Sequence, residues 1–424
     1  MKKIFTLFAI LILINMSIVP VKADEYLATN LPALEYSTLS NNDIYAEAAI
    51  LINANSGQIL YSKNIHEKLY PASITKILTA YLAITNLNLD DTLTATAEAI
   101  DSVPRSATHI AIDYGEIMTV KDLLYATLLE SANDAANVLA IGVSGSITNF
   151  ANLMNETVAS LNLTDTHFTN ANGLPDDDHY TTAYDMAVIM QFCLENETFK
   201  EIIETATYQT ATTNSKDVPR YFANRFKMIT NSQYNYEYAL GGKTGYTDEA
   251  RFTSVALAAN DNISLIAVTL KDQVEDEKYD DLETLFNYGL NNFAIKTLNK
   301  NNITINSFSF SDQVITFSLD NNLQLLVTND QDTSKELTQS IEIINEDDPD
   351  TISAILHIFY DDQEISEYSL TKTSRLLTNG YQTPDNKLTI IKLFNYLSLL
   401  IFLLLAYHFI NLNFLHIKDK KIQI

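Results

Sequence analysis

Hydrophobic and polar positions divide the chain into a β segment, a helical block and a second β segment. Residues 47–64, EAAILINANSGQILYSKN, contain two short apolar runs joined by a polar turn at 55–57, which predicts a β-hairpin. Two further apolar runs, 251–260 and 264–272, flank an Asn-Asp-Asn turn and predict a second pair of strands.

Apolar residues at helical spacing fill the chain between these two pairs of strands. The clearest pattern lies at 119–143, where Thr119 and Asp122 form a capping-box pattern and four leucines face a core. Further helices are predicted in 77–85, 149–163 and 182–206, and after the second pair of strands in 279–293.

Because the predicted strands lie at both ends of the helical block, they can pair into one antiparallel sheet with helices packed on it. This predicts an α+β domain over residues 24–296. From residue 300 onward, six short stretches alternate apolar and polar residues between Asn/Asp turns, which predicts a small all-β domain over 300–372. A polar linker, 373–392, follows it.

Both ends of the chain have the composition of membrane-targeting segments. The first has two lysines, an apolar run from Ile4 to Ile14 and small residues before position 24, which predicts a signal peptide over 1–23. Near the other end, residues 393–412 are apolar enough to span a bilayer, and the lysines of the 413–424 tail are expected on the cytoplasmic side. We therefore expect a bacterial cell-membrane protein with a single span and an extracellular catalytic domain.

Charge and cysteine content narrow the classes of function. The formal net charge of −26 argues against a nucleic-acid partner, because phosphates would be repelled. The single cysteine, Cys193, lies among apolar residues and is interpreted as a buried small hydrophobe, so no disulfide forms within the chain. The scattered histidines lack zinc-ligand spacing, and we expect no metal and no cofactor.

The stretch YPASITKILT, residues 70–79, places Ser73 three residues before Lys76. A serine after a proline commonly caps a helix, and that interpretation is open on this motif alone. However, a three-residue separation on a helix brings the ammonium beside the hydroxyl. If burial or a second cation kept Lys76 neutral part of the time, it could take the proton of Ser73.

Two more polar motifs follow Ser73-x-x-Lys76 along the chain. ESANDAAN contains Ser131 and Asn133 where the helical pattern is interrupted, and LGGKTGYTDEA contains Lys243-Thr244-Gly245 at the start of a predicted strand. Each motif alone is typical of a cap or of a solvated turn. The glycines around Lys243 leave backbone exposed, so that a ligand could pair alongside the strand.

The three motifs in this order resemble those of penicillin-binding proteins and class A β-lactamases. The stretches around 47–86, 123–140, 169–187 and 241–250 are similar to the low-molecular-mass penicillin-binding proteins, the serine-type D-alanyl-D-alanine carboxypeptidases of peptidase family S11. The resemblance covers roughly 45–295. It implies a β-lactamase/DD-peptidase-like helix-and-sheet fold, and the β domain and membrane anchor match the usual layout of that family.

The resemblance implies a role for each motif residue. Ser73 attacks the peptide carbonyl between the two terminal D-alanines of a peptidoglycan stem peptide and becomes acylated, with Lys76 as base. Ser131 passes a proton to the leaving amine. The residues that would bind substrate are Asn133 at the peptide carbonyl, Lys243 and Thr244 at the terminal carboxylate, and Gly245 and Tyr246 on the strand, with the amides of Ser73 and Tyr246 as the oxyanion hole.

The implied function is removal of the terminal D-alanine, which would limit cross-linking of the wall. β-Lactam antibiotics are expected to acylate the same serine. The chain departs from the family pattern at Arg251, where a small residue, usually glycine, is expected. Family members often carry an arginine after the last strand of the sheet that assists carboxylate binding; here the stretch offers only Lys271, and that assignment is open. Arg225 is expected either to shape the site or to form a surface ion pair, and His179 is expected to be structural.

Three alternatives use the same motifs. A class A β-lactamase would need a deacylating glutamate in an E-x-x-L-N pattern, which is missing from the stretch after Ser131. A DD-endopeptidase is harder to separate, although such relatives usually lack the C-terminal tail. A β-lactam sensor normally carries a larger cytoplasmic or multi-span region than the residues after the predicted span.

Overall fold

The computed structural model describes residues 39–302, 307–310, 313–328, 337–345, 347–360 and 363–376. The predicted signal peptide, the predicted membrane span and the tail lie outside these residues. Within the described part of the chain, no helix combines the length and apolar character needed to cross a membrane.

A five-stranded antiparallel sheet forms the centre of the first 300 residues. Its strand order is β2-β1-β9-β8-β7, so the N-terminal hairpin pairs with the later strands through β1 and β9, as predicted. The register aligns Ile50 with Val268, and β7 pairs only with β8, which leaves β7 at an edge. The sheet strands are β1 Ala48–Asn53, β2 Ile59–Lys63, β7 Ala239–Thr247, β8 Arg251–Ala259 and β9 Ser264–Asp272.

The predicted helical block is present, and its long helical stretches are interrupted. Residues 119–143 form two helices separated at Ser131, whose φ of 60° takes the backbone out of the helix. Thr119 caps the first of them, as predicted, by accepting the amide N–H of Asp122. The helices are α1 Lys76–Asn86, α2 Ala97–Asp101, α3 Val120–Leu128, α4 Asn133–Ser144, α5 Ile147–Ser160, α6 Ala183–Cys193, α7 Glu197–Ile203 and α8 Glu275–Asn292.

The sheet is covered on both faces, so all six residues of β1 are buried. Ile50 and Ile52 belong to the large core that contains α1, α3, α4 and α6. Leu51, on the opposite face of β1, meets α8, where a Cβ on Gly289 would lie 2.9 Å from the Leu51 side chain. Two small ribbons complete this part, formed by β3 Thr92–Thr94 with β4 Ile117–Thr119 and by β5 Thr207–Gln209 with β6 Tyr221–Ala223.

Strands predominate after α8, as the alternating pattern predicts. Three small sheets have the orders β10-β13, β11-β12-β17 and β14-β15-β16. Strand β17 crosses residue 373, where the polar linker is predicted to begin. The strands are β10 Phe293–Leu298, β11 Ser307–Ser309, β12 Gln313–Ser318, β13 Leu323–Thr328, β14 Leu337–Ile344, β15 Ser353–Tyr360, β16 Gln363–Ser369 and β17 Thr371–Leu376.

The described chain forms two compact units. One comprises the described residues of 39–302, 321–340 and 356–368, and the other those of 303–320, 341–355 and 369–376. The domain boundaries drawn from the sequence at 296 and 300 remain predictions.

Candidate active site

Ser73 lies in a short 3-10 turn, Ala72–Thr75, that leads directly into α1. Neither the turn nor α1 has a side-chain cap, so Ser73 begins the helical region without capping it. Its Oγ instead accepts a hydrogen bond of 2.9 Å from Nζ of Lys76. The helix capping interpretation of this serine is therefore wrong, and the hydroxyl is free to react on a half-buried surface.

Lys76 is fully buried at the first turn of α1. Its Nζ also donates to the backbone carbonyl of Asn172 at 2.5 Å. Burial, together with the positive charges of Lys243 and Arg225, lowers the pKa of Lys76 well below its usual value. The lowered pKa makes the neutral amine easier to form, which is what a base for Ser73 requires.

Ser131 and Lys243 form a second hydroxyl–ammonium pair. The positive φ of Ser131 turns the chain between α3 and α4 and places its Oγ 3.0 Å from Nζ of Lys243. Lys243 lies on the edge strand β7 and is only 2% exposed. Its burial, and the charges of Arg225 and Lys278, lower its pKa to about 7. The pair is thus suited to moving a proton at neutral pH.

Strand β7 approaches the Ser73 turn at Gly245. A Cβ on Gly245 would lie 2.7 Å from the amide nitrogen of Ser73 and 2.5 Å from Oγ1 of Thr253. Thr253 in turn donates to the carbonyl of Pro71 at 2.8 Å. Only glycine allows the strand and the serine amide to come this close, so Gly245 sets the width of the site.

The loop at 170–174 supports the Ser73 turn from the other side. Gly173 has a φ of +83°, and a Cβ there would lie 1.9 Å from the carbonyl oxygen of Ala72. The preceding carbonyls of Ala171 and Asn172 accept hydrogen bonds from Thr79 and Lys76. No motif in the sequence identified Asn172 or Gly173 as site residues, although both lie in a stretch that resembles the family.

These residues border a cavity of about 610 Å³. Ser73, Ser131, Thr244, Gly245 and Tyr246 all line it. The remaining lining residues are Thr108, Glu130, Ala223, Asn224, Arg225, Lys227, Phe252, Glu275 and Lys278. A nucleophile, two lysine–serine pairs and the edge of a strand therefore meet at one opening, which suits attack on an extended peptide.

Lys278 is a cation in this cavity that the sequence did not identify. It is 4% exposed, and its ammonium lies 4.9 Å from the ring centroid of Phe252 and 4.7 Å from that of Tyr279. Its distance to the carboxylate of Glu275 is 3.6 Å, whereas Lys227 holds the same carboxylate at 2.8 Å. The Glu275 carboxylate therefore balances the positive charge of Lys278 less fully than that of Lys227.

Comparison with known proteins agrees with this geometry. Residues 35–274, more than half of the chain, match the model of the D-alanyl-D-alanine carboxypeptidase family, peptidase family S11. The chain belongs to this family. It is 31% identical over 265 residues to the D-alanyl-D-alanine carboxypeptidase DacF of Bacillus subtilis, covering 61% of this chain and 66% of the relative. The match therefore spans just under two thirds of that relative's length.

Solved structures agree with the D-alanyl-D-alanine carboxypeptidase family assignment. The Streptomyces K15 DD-transpeptidase is 28% identical with a TM-score of 0.55, covering 58% of this chain and 97% of that one. A D-alanyl-D-alanine carboxypeptidase from Mycobacterium tuberculosis is 27% identical, also with a TM-score of 0.55, covering 61% and 95%. The helix-and-antiparallel-sheet fold is therefore that of DD-peptidase structures.

The structure shows the surroundings of three basic residues whose roles the sequence left undecided. Lys271 bonds to Glu47 at 2.8 Å, and the basic residue that lines the cavity after the last strand is Lys278. Arg225 meets both expectations, since it lines the cavity and bonds to Glu130 at 3.2 Å. Arg251 has a φ of 56° at the start of β8, a left-handed backbone conformation that glycine adopts more readily than arginine, in agreement with the expected glycine at this position.

His179 is structural, as expected, and supports the turn that carries Ser73. Its Nδ1 accepts the amide N–H of Thr169 at 3.1 Å, so Nε2 carries the proton and donates to Thr75 Oγ1 at 2.9 Å. Burial lowers the pKa of His179 to about 4. The ring is therefore neutral at pH 7.

Asn133 begins α4 two residues after Ser131 and is 4% exposed. Its Oδ1 is buried and has no hydrogen-bond partner among the described residues. A buried amide oxygen without a donor is costly, and a bound ligand N–H would satisfy it. Asn133 does not line the cavity itself.

In the described ranges, one group of side chains could hold a metal ion. His357, Glu364 and Glu367, on β15 and β16, have ligand atoms within 4.8 Å of one another. The chemistry of the Ser73 site uses no residue of this group.

Proposed function

We propose that this protein is a serine D-alanyl-D-alanine carboxypeptidase that removes the terminal D-alanine from peptidoglycan stem peptides. The observation that carries the proposal is the 2.9 Å contact between Ser73 and a fully buried Lys76 whose pKa is lowered by burial and by the charge of Lys243. The family membership and the names of the relatives support the substrate class.

Acylation begins when neutral Lys76 takes the proton of Ser73. The Oγ attacks the carbonyl carbon of the penultimate D-alanine, and the carbonyl oxygen becomes an oxyanion. The amide N–H groups of Ser73 and Tyr246 stabilise that charge, which is largest in the transition state. The close approach of β7 to the serine amide at Gly245 supports this assignment.

The tetrahedral intermediate then collapses and breaks the bond to the leaving nitrogen. Ser131 donates its proton to this nitrogen and is reprotonated by Lys243, a transfer supported by their 3.0 Å hydrogen bond. Free D-alanine leaves. Lys76 then releases to solvent the proton that it took from Ser73, and Lys243 regains a proton from solvent, which restores both lysines. A water molecule next attacks the ester, neutral Lys76 accepts its proton, and that proton passes to Oγ as the ester C–O bond breaks and the shortened peptide departs.

Substrate recognition relies on both ends of the D-Ala-D-Ala unit. Thr244 and Lys243 receive the terminal carboxylate, with Lys278 as an additional cation that lines the cavity. Asn133 hydrogen-bonds the peptide group on the other side of Ser73. The implied contact with the substrate's peptide carbonyl would use the side-chain NH₂ of Asn133 as donor, whereas its unpartnered Oδ1 would accept a substrate N–H.

We also propose that β-lactams acylate Ser73, because they present a carboxylate and a strained amide in the same arrangement as the substrate. The protein is exported by its signal peptide at 1–23 and anchored by a C-terminal span at 393–412, with its catalytic domain outside the cell. Trimming of the stem peptide removes donors for cross-linking.

A second candidate is transpeptidation, in which an amine instead of water takes the acyl group from Ser73. The name of the Streptomyces K15 relative favours it, since that structure matches this chain over 97% of its own length. Both reactions share the acyl-enzyme, and the acceptor distinguishes them.

The test is release of D-alanine by the full-length protein from a pentapeptide ending in D-Ala-D-Ala, beside Ser73→Ala, with and without an added amine acceptor. Release that disappears in Ser73→Ala supports the carboxypeptidase. A product in which the acceptor replaces D-alanine in most turnovers supports the transpeptidase. Labelled penicillin on Ser73 with neither product would overturn both.

A further inference from the structure

Two buried carboxyl groups lie side by side outside the cavity. Asp272 is the last residue of β9, and Asp281 is in the second turn of α8. Both side chains are 0% exposed. The mechanism proposed above uses neither of them, although two carboxyls in a dry site are costly if both are charged.

The hydrogen bonds of the two groups differ. Asp281 accepts the backbone N–H of Tyr45 at 2.9 Å through Oδ1 and that of Ala46 at 2.8 Å through Oδ2. Neither oxygen of Asp272 has a well-aligned hydrogen bond from an N–H or O–H donor among the described residues. The side chains that contact it are the Asp281 carboxyl and, with a smaller effect, the Thr269 hydroxyl. Because both oxygens of Asp281 already accept, the shared proton belongs to Asp272, which donates to Asp281.

Electrostatics agree with this assignment. Burial and the charge of Asp281 raise the pKa of Asp272 to about 8, so it holds its proton at neutral pH. The charged and titratable groups that interact with the pair are Lys63 and Tyr61 on β2 and Glu277 and Lys278 on α8. Lys63 is the opposite charge that acts on Asp281.

The pair joins three segments beside the cavity. Only Gln273 and Val274 separate β9 from α8, and both donate their amide N–H groups to Glu277. Asp281 lies one turn after Lys278, and Asp272 pairs in register with Phe252, whose ring the Lys278 ammonium covers. The Asp272–Asp281 bond therefore closes the β9–α8 corner, and Asp281 attaches the chain at Tyr45–Ala46 to it.

We propose that Asp272 and Asp281 are a positioning pair, a neutral carboxyl hydrogen-bonded to a carboxylate, that holds the first turn of α8 so that Lys278 faces the substrate carboxylate. The shared proton is inferred from burial, hydrogen bonding and charge, and it does not depend on the enzymatic reaction. The effect on Lys278 rests on the function proposed above, so the two parts are tested separately.

The shared proton is tested by infrared spectroscopy of the full-length protein. A protonated carboxyl has a C=O stretching band that a carboxylate lacks, and the wild-type minus Asp272→Asn difference spectrum should contain it at pH 6. The band should vanish as pH rises through about 8. Asp280→Asn, an exposed neighbour, is the matched control and should leave it unchanged. Absence of the band at pH 6 would overturn the shared proton, whatever the activity.

The thermal midpoints of asparagine variants show which of the two carboxyl groups carries the proton. Asp272→Asn keeps a donor toward Asp281 and should leave the thermal midpoint at pH 7 nearly unchanged. Asp281→Asn places an NH₂ group against a backbone N–H and should lower the midpoint clearly. Since Asp272 keeps in the folded state a proton that the unfolded state releases, the wild-type midpoint should fall relative to Asp272→Asn between pH 4 and 8. The reverse order of the two asparagine variants would overturn the assignment.

The positioning role is tested by KM and kcat for D-alanine release at pH 7. Asp272→Ala, which loses the donor, should raise KM about tenfold or more with kcat little changed, because the carboxylate cation is misplaced. Asp272→Asn should restore KM to within about twofold of wild type. Equal KM in the wild type and both variants would overturn positioning. If Asp272→Ala does not fold, a tenfold rise in KM in folded Asp272→Asn would overturn it instead. If neither the wild type nor any variant releases D-alanine, the proposed function is wrong, whereas the shared proton is still decided by the infrared measurement.

Discussion

Nζ of Lys76 lies 2.9 Å from Oγ of Ser73 and is completely shielded from solvent. A buried ammonium next to a second lysine gives up its proton readily, and a serine hydroxyl needs a base at this distance. The contact makes Lys76 the candidate base for Ser73, and replacement of the lysine tests whether it accepts a proton or acts as a fixed positive charge.

Replacement of Lys76 by arginine should abolish acylation, because arginine keeps its charge and cannot act as a base. We expect the rate of labelling by a fluorescent penicillin to fall about 10²- to 10⁴-fold. Lys243→Arg is the matched comparison at the neighbouring lysine and should lose less, since part of its role is charge alone. Substantial labelling of Lys76→Arg would show that Lys76 is not the base.

Lys278→Gln should raise KM for D-Ala-D-Ala peptides about 10- to 100-fold, the effect of losing a charged hydrogen bond. A peptide with a C-terminal amide should be processed equally by both proteins. Lys227→Gln is the control, because Lys227 is already bonded to Glu275 at 2.8 Å.

Burial lowers the pKa of Lys278 to about 8, so KM should rise above pH 8 in the wild type and stay flat to higher pH in Lys278→Arg. If Lys278→Gln raised KM equally for the peptide with a free C-terminal carboxylate and for the peptide with a C-terminal amide, this role would be contradicted.

His179 should make the protein sensitive to acid. Its pKa is about 4 in the folded state against 6.5 for an ordinary histidine, so the unfolded chain binds the proton first. The free energy of unfolding should therefore fall as pH drops from about 6.5 to about 4, by on the order of 3 kcal/mol. Urea unfolding of wild type and His179→Gln at several pH values measures it. The control is His66→Gln, because His66 is exposed. A pH dependence in His179→Gln identical to that of the wild type would refute the assignment.

Gly173→Ala should disrupt the Ser73 turn. The new Cβ would lie 1.9 Å from the Ala72 carbonyl oxygen, so loop and turn must separate. We expect a loss of about 2 kcal/mol or more in unfolding free energy, with loss of penicillin labelling.

Gly145 provides a matched control for this change. It has a similar φ of +77° at the end of α4, but a Cβ there meets nothing within 4 Å. Gly145→Ala should cost only about 1 kcal/mol, the price of a left-handed alanine, and should retain labelling. Equal losses in the two variants would mean that backbone conformation, and not the contact with Ala72, explains the effect.

Local sequence determined the elements and the chemistry of the motifs. Short apolar runs between polar turns predicted the hairpin at 47–64 and the strands at 251–272, because strands covered on both faces are apolar throughout. Helical spacing predicted the helices between them, because burial of one helix face imposes a period on the residues. Side-chain spacing likewise brought Ser73 and Lys76 together, since both lie within one turn of the backbone. The ends of the chain, including the predicted signal peptide and span, remain predictions from composition.

Tertiary structure alone decided which distant groups share one environment. The pKa of Lys76 depends on burial and on the charge of Lys243, which acts through space. The cavity also contains Lys278, which belongs to α8 and reaches the site only because that helix packs against the sheet. The same holds for Gly173 against Ala72 and Asp272 against Asp281. In the sequence each is an ordinary residue, and only packing brings each to its partner.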